Sequence, residues 1–154
     1  MKFSPEPGRR AIVLDANVLS RLARIGRLDV IPRAFSGPCY LTSAIANEIE
    51  AGLEAGVMYL EVVRTLIQRG ELGVLSALEE DRRYMDSLPR KLGQGEAEGI
   101  ALCHRLNMVF VTHDRQAANF CEQAGVRCLH FRTLVDALQK RGLLTAEEAL
   151  RALE

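Results

Sequence analysis

The sequence predicts an α/β fold, an α/β/α sandwich around a central, mainly parallel sheet. Three observations carry this. Continuous apolar runs recur at residues 11–14, 39–41 and 108–111, and a shorter stretch interrupted by Arg127 lies at 126–129; unbroken apolarity marks strands buried on both faces. Between them lie stretches with apolar residues at helical spacing. Glycines stand at the joints, among them Gly26, Gly70, Gly125 and Gly142, where helices stop. Strands alternating with helices imply right-handed crossovers and helices on both faces of the sheet.

The elements follow in order. Residues 11–14 form the first strand, and Asp15-Ala16-Asn17 starts a helix with Val18, Leu22 and Ile25 on one face. A short helix runs over 28–34. Gly37-Pro38 punctuates the chain before the strand at 39–41. Thr42 or Ser43 caps the next helix, whose core stripe is Ile45, Ile49 and Leu53, with Glu48 one step off the stripe. Residues 57–69 read as an amphipathic helix with Leu60, Val63 and Ile67 inward. Residues 72–75 read as a short strand or an extended link, and 77–87 as a polar helix. Gly93-Gln94-Gly95 is a loop before a helix at 96–106. A strand at 108–112 and a helix at 115–124 follow. A strand at 126–129 and a helix at 132–141 come next. Thr145-Ala146-Glu147-Glu148 is a capping box that opens the last helix.

Bulk properties bound the possibilities. A chain of 154 residues with 48% hydrophobic residues suits one domain with a real core. We assign residues 11–154 to it, after a flexible lead-in over 1–10. No apolar run reaches the length of a membrane span, and no secretory signal is visible. Cys39, Cys103, Cys121 and Cys128 include no Cys-x-x-Cys pair or zinc spacing. Free thiols, buried at Cys103 and Cys128, suit a reducing cytoplasm. His104, His113 and His130 are scattered, as surface or supporting residues would be. The formal net charge is zero, so a strong sequence-independent grip on nucleic acid is not built in.

Four acids carry the chemistry. Asp15 and Asp114 follow strands, Glu96 opens a helix after Gly93-Gln94-Gly95, and Glu48 lies on the helix after the second strand. In open α/β sheets ligands bind beyond the carboxyl ends of the strands, and all four can face that edge. Two carboxylates about 5 Å apart repel by roughly 3 kcal/mol at an effective dielectric near 20, and a divalent cation reverses the sign. All-oxygen donors favour Mg²⁺ or Mn²⁺ over zinc or copper. Such ions suit in-line displacement at a phosphate. Each acid also has a plainer reading. Asp15 and Asp114 could be helix N-caps, Glu96 could serve the helix dipole, and Glu48 could be a solvated surface group.

The chain resembles the PIN domains, a family of metal-dependent nucleases. The matching pieces are Ile12-Val13-Leu14-Asp15-Ala16-Asn17-Val18-Leu19, Ser43-Ala44-Ile45-Ala46-Asn47-Glu48-Ile49, Gly93-Gln94-Gly95-Glu96-Ala97-Glu98-Gly99-Ile100-Ala101-Leu102 and Val109-Phe110-Val111-Thr112-His113-Asp114. The resemblance implies that Asp15, Glu48, Glu96 and Asp114 form a metal-binding catalytic quartet holding Mg²⁺ or Mn²⁺. It implies that Asn17 and Thr112 support the quartet by hydrogen bonding. Glu98, about 200° around its helix from Glu96, ranks as auxiliary or structural. Many small stand-alone relatives resemble toxin ribonucleases of bacterial toxin–antitoxin pairs. That implies an RNA substrate, a small antitoxin partner and a homodimer. The Gly-x-Gly-Glu-Ala-Glu form is closer to another prokaryotic branch, and the helices over 132–153 extend beyond a minimal toxin domain.

For the substrate, Arg115 beside Asp114, and Arg21 and Arg24 sharing a helix face, are candidate phosphate contacts. Arg82, Arg83, Arg90 and Lys91 form a further cluster, partly neutralised by neighbouring acids. Aromatic residues are 5% of the chain, with no interleaved platform for base stacking. Leu143, Leu144, Leu150 and Leu153 are candidates for self-association or for the core. The leading expectation is an Mg²⁺- or Mn²⁺-dependent endoribonuclease. The alternative is a non-catalytic nucleic-acid- or protein-binding module on the same fold. A nucleotide-binding enzyme ranks low, because neither Gly-x-Gly-x-x-Gly nor a Gly-Lys-Ser/Thr loop is present. A haloacid-type phosphatase lacks its paired Asp-x-Asp.

Overall fold

The computed structural model describes residues 10–154, so all of the expected lead-in except Arg10 lies outside the described residues. The strands are β1 (Ile12–Leu14), β2 (Cys39–Thr42), β3 (Gly73–Leu75), β4 (Val109–Thr112) and β5 (Cys128–His130). They form one all-parallel sheet in the order β3-β2-β1-β4-β5. The chain winds one way from β1 to β3 and the other way through β4 and β5. The switch point therefore falls between β1 and β4, where a crevice opens at the carboxyl ends. Leu14 pairs level with Val111, and the Asp15 N–H donates to the Val111 carbonyl (3.0 Å). This register sets the residues after the two strands side by side.

The helices are α1 (Ala16–Arg24), α2 (Val30–Ala34), α3 (Ser43–Glu54), α4 (Glu61–Gln68), α5 (Glu79–Asp86), α6 (Gln94–Leu106), α7 (Arg115–Ala124), α8 (Phe131–Lys140) and α9 (Ala146–Leu153). Alternation along the strands divides the core in two. Ile12, Leu14, Leu41, Val109 and Val111 pack with α1, α2, α3, α4, α8 and α9 on one face. Val13 and Phe110 pack with α6 and α7 on the other. This is the expected three-layer sandwich.

Several boundaries differ from the sequence expectation for local reasons. The helix expected over 57–69 begins as a separate 3₁₀ turn, Met58–Leu60, before α4. Gly56, at φ +93°, redirects the chain there. The helix expected from residue 96 starts at Gln94, because Glu96 caps it from within its first turn. The final strand starts at Cys128 and not at 126, because the Val126 N–H still closes α7 on the Cys121 carbonyl (2.9 Å). Leu144 is buried, Leu143 and Leu153 pack partly against the core, and Leu150 is exposed. The four cysteines are unpaired, with Cys128 only half-buried. Among the described residues no helix is long and apolar enough to cross a membrane.

One buried ion pair fixes the far side of α6. Asp81, fully buried at the start of α5, accepts from Arg105 at 2.8 and 2.9 Å and from the Leu78 N–H at 2.8 Å. Burial pushes its carboxyl up, but Arg105 and Leu78 outweigh this and hold it below the ordinary range.

Candidate functional site

A cleft of about 500 Å³ opens at the switch point, lined in part by Asp15, Asn17, Ser20, Glu48, Leu60, Gly93, Glu96, His113 and Asp114. It gathers acids from just beyond the ends of β1 and β4 and from α3 and α6. The plain readings of three of them hold at the same time as the gathering, because capping is what holds each carboxylate in place.

Asp15 is the N-cap of α1, and its Oδ1 accepts from the Ala16 N–H (2.8 Å). Its Oδ2 accepts from the Thr112 hydroxyl (2.8 Å). The same hydroxyl oxygen accepts from the Asp114 N–H (3.1 Å), so Thr112 ties the two aspartates together. Asp114 caps α7 through the Ala117 N–H (3.0 Å). Glu96 reaches back to the Gly93 N–H (2.9 Å) in a capping-box geometry. Glu48 is exposed and forms no hydrogen bond among the described residues. Gly95 lets α6 approach α3 here. A Cβ on Gly95 would lie 2.6 Å from Glu48 Oε1 and 2.9 Å from Ile45 Cγ1.

The electrostatics record a crowd of like charges. Burial pushes the Asp15 carboxyl up to about 6, the Thr112 and Ala16 bonds oppose this, and Glu48 and Asp114 add to it. Burial also raises Glu96 to about 7, helped by Asp15 and by a hydrogen bond to Asp114. Asp114 goes the other way. Burial raises it, but the Ala117 N–H, the proton shared with Glu96 and the Gln116 N–H together hold it low. Burial raises Glu48. Among the described residues no Lys or Arg lines the cleft.

Does this set suit a divalent cation? In chemistry it does. Four carboxylate side chains in a cleft that no Lys or Arg lines among the described residues favour a hard ion, and the raised proton affinity of Asp15, Glu48 and Glu96 is the penalty such an ion removes. The donors do not yet form a closed shell. Among the described residues no three Asp, Glu, His or Cys side chains converge tightly enough to hold an ion.

The other sequence candidates divide. Asn17 lines the cleft and its Oδ1 accepts from Arg21 Nε (2.6 Å). Glu98 points away, and its Oε1 accepts from Ser43 Oγ (3.2 Å) and the Ala44 N–H (3.0 Å). It thus steadies the start of α3, the helix that carries Glu48. Arg21 and Arg24, expected at phosphates, are engaged elsewhere. Arg21 donates to the Ala152 and Glu154 carbonyls (both 3.0 Å), and Arg24 to the Arg151 carbonyl (2.7 Å). They bind the end of α9. Arg115 is exposed beside Asp114, with no hydrogen bond or ion pair among the described residues.

Sequence reasoning missed Ser20, Leu60 and His113 as cleft residues. Ser20 lies one helical turn after Asn17, a spacing that could have found it. His113 stands next to Asp114, its ring edge-on to Phe131 with centroids 5.4 Å apart. Its Nδ1 is buried without a hydrogen-bond partner among the described residues, and burial lowers its proton affinity. No local signal marks Leu60.

Fold and cleft together define an α/β/α protein with an acid-lined crevice at its switch point. The sequence model for the PIN domain matches residues 11–154, and the chain belongs to that family. Comparison with curated proteins gives no match. Solved structures share the fold. VapBC-1 from nontypeable Haemophilus influenzae is 16% identical, with TM-score 0.59, over 79% of this chain and 98% of that one. VapBC2 from Rickettsia felis, bound to a DNA fragment from the promoter, is 12% identical, with TM-score 0.58, over 78% and 98%. A PilT N-terminus domain protein from Sulfolobus solfataricus P2 is 16% identical, with TM-score 0.54, over 94% of each chain.

Proposed function

We propose that the protein is a metal-dependent endoribonuclease that hydrolyses RNA phosphodiester bonds in this cleft. The observation that carries the reading is four carboxylates lining one crevice that, among the described residues, no Lys or Arg lines. Asp15, Glu48, Glu96 and Asp114 would hold Mg²⁺ or Mn²⁺. Such an ion, when bound, supplies positive charge to the phosphate and makes water a better nucleophile. The remaining work belongs to the chain. Thr112 orients Asp15 and Asp114 together. Arg21 holds the Asn17 amide at the cleft wall. Leu60 and Ile49 supply an apolar wall that limits water at the reacting phosphate. Glu96, with its raised proton affinity, is a candidate to hold or release a proton in the reaction.

The likeness to VapBC structures and to toxin ribonucleases supports a toxin role with a small antitoxin partner and a homodimeric state, in the cytoplasm. The alternative of a binding module without catalysis draws on the open donor arrangement. One experiment separates them. Purified protein is incubated with single-stranded RNA in Mn²⁺, in Mg²⁺ and in chelator. Cleavage that needs the ion and vanishes in Asp15→Asn supports the enzyme. Absence of cleavage in both ions, or unchanged cleavage by Asp15→Asn, overturns it.

A further inference from the structure

One exposed aromatic side chain stands at the lip of the cleft. Tyr59 is 42% exposed and its neighbour Met58 is 63% exposed. Both lie on the 3₁₀ turn whose third residue, Leu60, lines the cleft. The Tyr59 hydroxyl lies 3.5 Å from Ser20 Oγ, and Ser20 is itself a cleft residue. The remaining aromatics of the described chain are occupied. Phe35, Phe110 and Phe131 are buried, Phe120 and Tyr40 pack partly into the second core, and Tyr84 stacks on His104 with ring centroids 4.2 Å apart.

The turn is held firmly. The Val57 N–H donates to the Gly52 carbonyl (2.9 Å). Leu60 presses so close on Gly52 that a Cβ there would lie 2.6 Å from Leu60 Cδ1. Tyr59 is therefore presented on a fixed scaffold, which lowers the ordering cost of any contact it makes. Exposed Val74, Leu78, Leu106 and Leu150 lie outside the cleft lining, as scattered surface apolar groups do.

Charge decides what such a surface is for. The net charge is zero and, among the described residues, no Lys or Arg lines the cleft, so counterion release can supply little affinity. A flat π-face beside the cleft supplies the neutral alternative, since base–aromatic stacking tolerates any base. A base inside a duplex has both faces covered and cannot use it.

We propose that Tyr59, flanked by Met58, stacks on an unpaired nucleobase of the strand bound in the neighbouring cleft. This rests on the nuclease reading above. Tyr59 is then a specificity-determining residue.

The test measures binding apart from turnover. A short fluorescein-labelled single-stranded RNA is titrated by anisotropy with Ca²⁺ in place of Mn²⁺, against wild type, Tyr59→Ala and Tyr59→Phe. Tyr59→Ala is expected to weaken binding about 5- to 150-fold, and Tyr59→Phe by less than about twofold. A series of oligonucleotides with one abasic position adds a readout that a structural role would not move. One position should cost wild type as much as the alanine change does, and should cost Tyr59→Ala nothing further. Duplex RNA should not distinguish wild type from Tyr59→Ala. The proposal is overturned by equal affinity of wild type and Tyr59→Ala, which would leave the Met58–Tyr59 pair as a protein contact. It is equally overturned by equal loss in Tyr59→Phe, by a flat abasic series, or by a wild type that binds no single strand. Mn²⁺-dependent cleavage of the same RNA by wild type is scored separately. The stacking proposal can thus fail while the nuclease reading stands.

Discussion

Asp15→Asn should make the protein more stable without metal while disabling it. The Asp15 carboxyl is 5% exposed and its proton affinity rises from 3.8 to about 6, chiefly through burial. Its ionised form therefore costs the folded state about 3 kcal/mol at neutral pH. Asparagine keeps the acceptor for the Ala16 N–H. Its amide can donate to Thr112 Oγ1, which has a second lone pair besides the one given to Asp114. Allowing about 1 kcal/mol for the poorer hydrogen bonds, the variant gains about 2 kcal/mol, a rise of about 4–8 °C in Tm for a chain of this size. Calorimetry in chelator reads it. The sign follows from proton counts. Between 3.8 and about 6 the folded state binds more protons than the unfolded one, so wild-type stability falls as pH rises through that window and stays lower above it. Asp15→Asn should lack that fall, and the two proteins should converge toward pH 4. Saturating Mn²⁺ should stabilise wild type by about 3 kcal/mol at a hundredfold excess over Kd, and the variant far less. A variant less stable than wild type in chelator, or one that gains as much from Mn²⁺, would refute the reasoning.

Other outcomes follow from the same geometry. Mn²⁺ affinity should climb as pH rises through about 6 to 7, because Asp15 and Glu96 must release protons to bind it. Titration calorimetry in buffers of different ionisation enthalpy reads the released protons, and a pH-independent affinity would contradict the site. Gly95→Ala forces a methyl against Glu48 and Ile45, and should cost about 1–3 kcal/mol in urea unfolding as well as slowing cleavage. Gly93→Ala, whose Cβ would lie 3.5 Å from Glu96 Oε1, should be much milder. Arg115→Ala should weaken RNA binding at all sequences and lower the log–log salt slope by about 1. Arg21→Ala should instead lower stability, by loosening the end of α9, with the salt slope unchanged.

The sandwich was legible because its signals are local. Asp15 and Asp114 each stand where an apolar run meets a helix start, and such positions share the carboxyl edge of any parallel sheet. The cap that Glu96 makes at Gly93 is equally local, yet Gly93 has no side chain to mark it, and the helix is expected two residues late. What stayed hidden depended on partners far along the chain. Arg21 and Arg24 looked like phosphate contacts because their acceptors, the carbonyls of residues 151–154, lie more than 120 positions away. The angle between Glu98 and Glu96 showed only that they face different ways. Ser43 and Ala44, which Glu98 holds, became visible only in three dimensions. The helix expected over 57–69 hid the turn that presents Tyr59, because periodicity does not register a single left-handed glycine.

The hydroxyl link between Asp15 and Thr112 joins positions 97 residues apart, across two strands that touch only after β2, β3 and the intervening helices have been laid down. A chain still emerging during synthesis therefore cannot carry the assembled quartet until β4 and Asp114 have been made and docked beside β1. Long-separated pairings of this kind also form late and slowly. The last strand pairings to form are thus the ones that complete the acid-lined crevice, and every shorter piece of the chain lacks it.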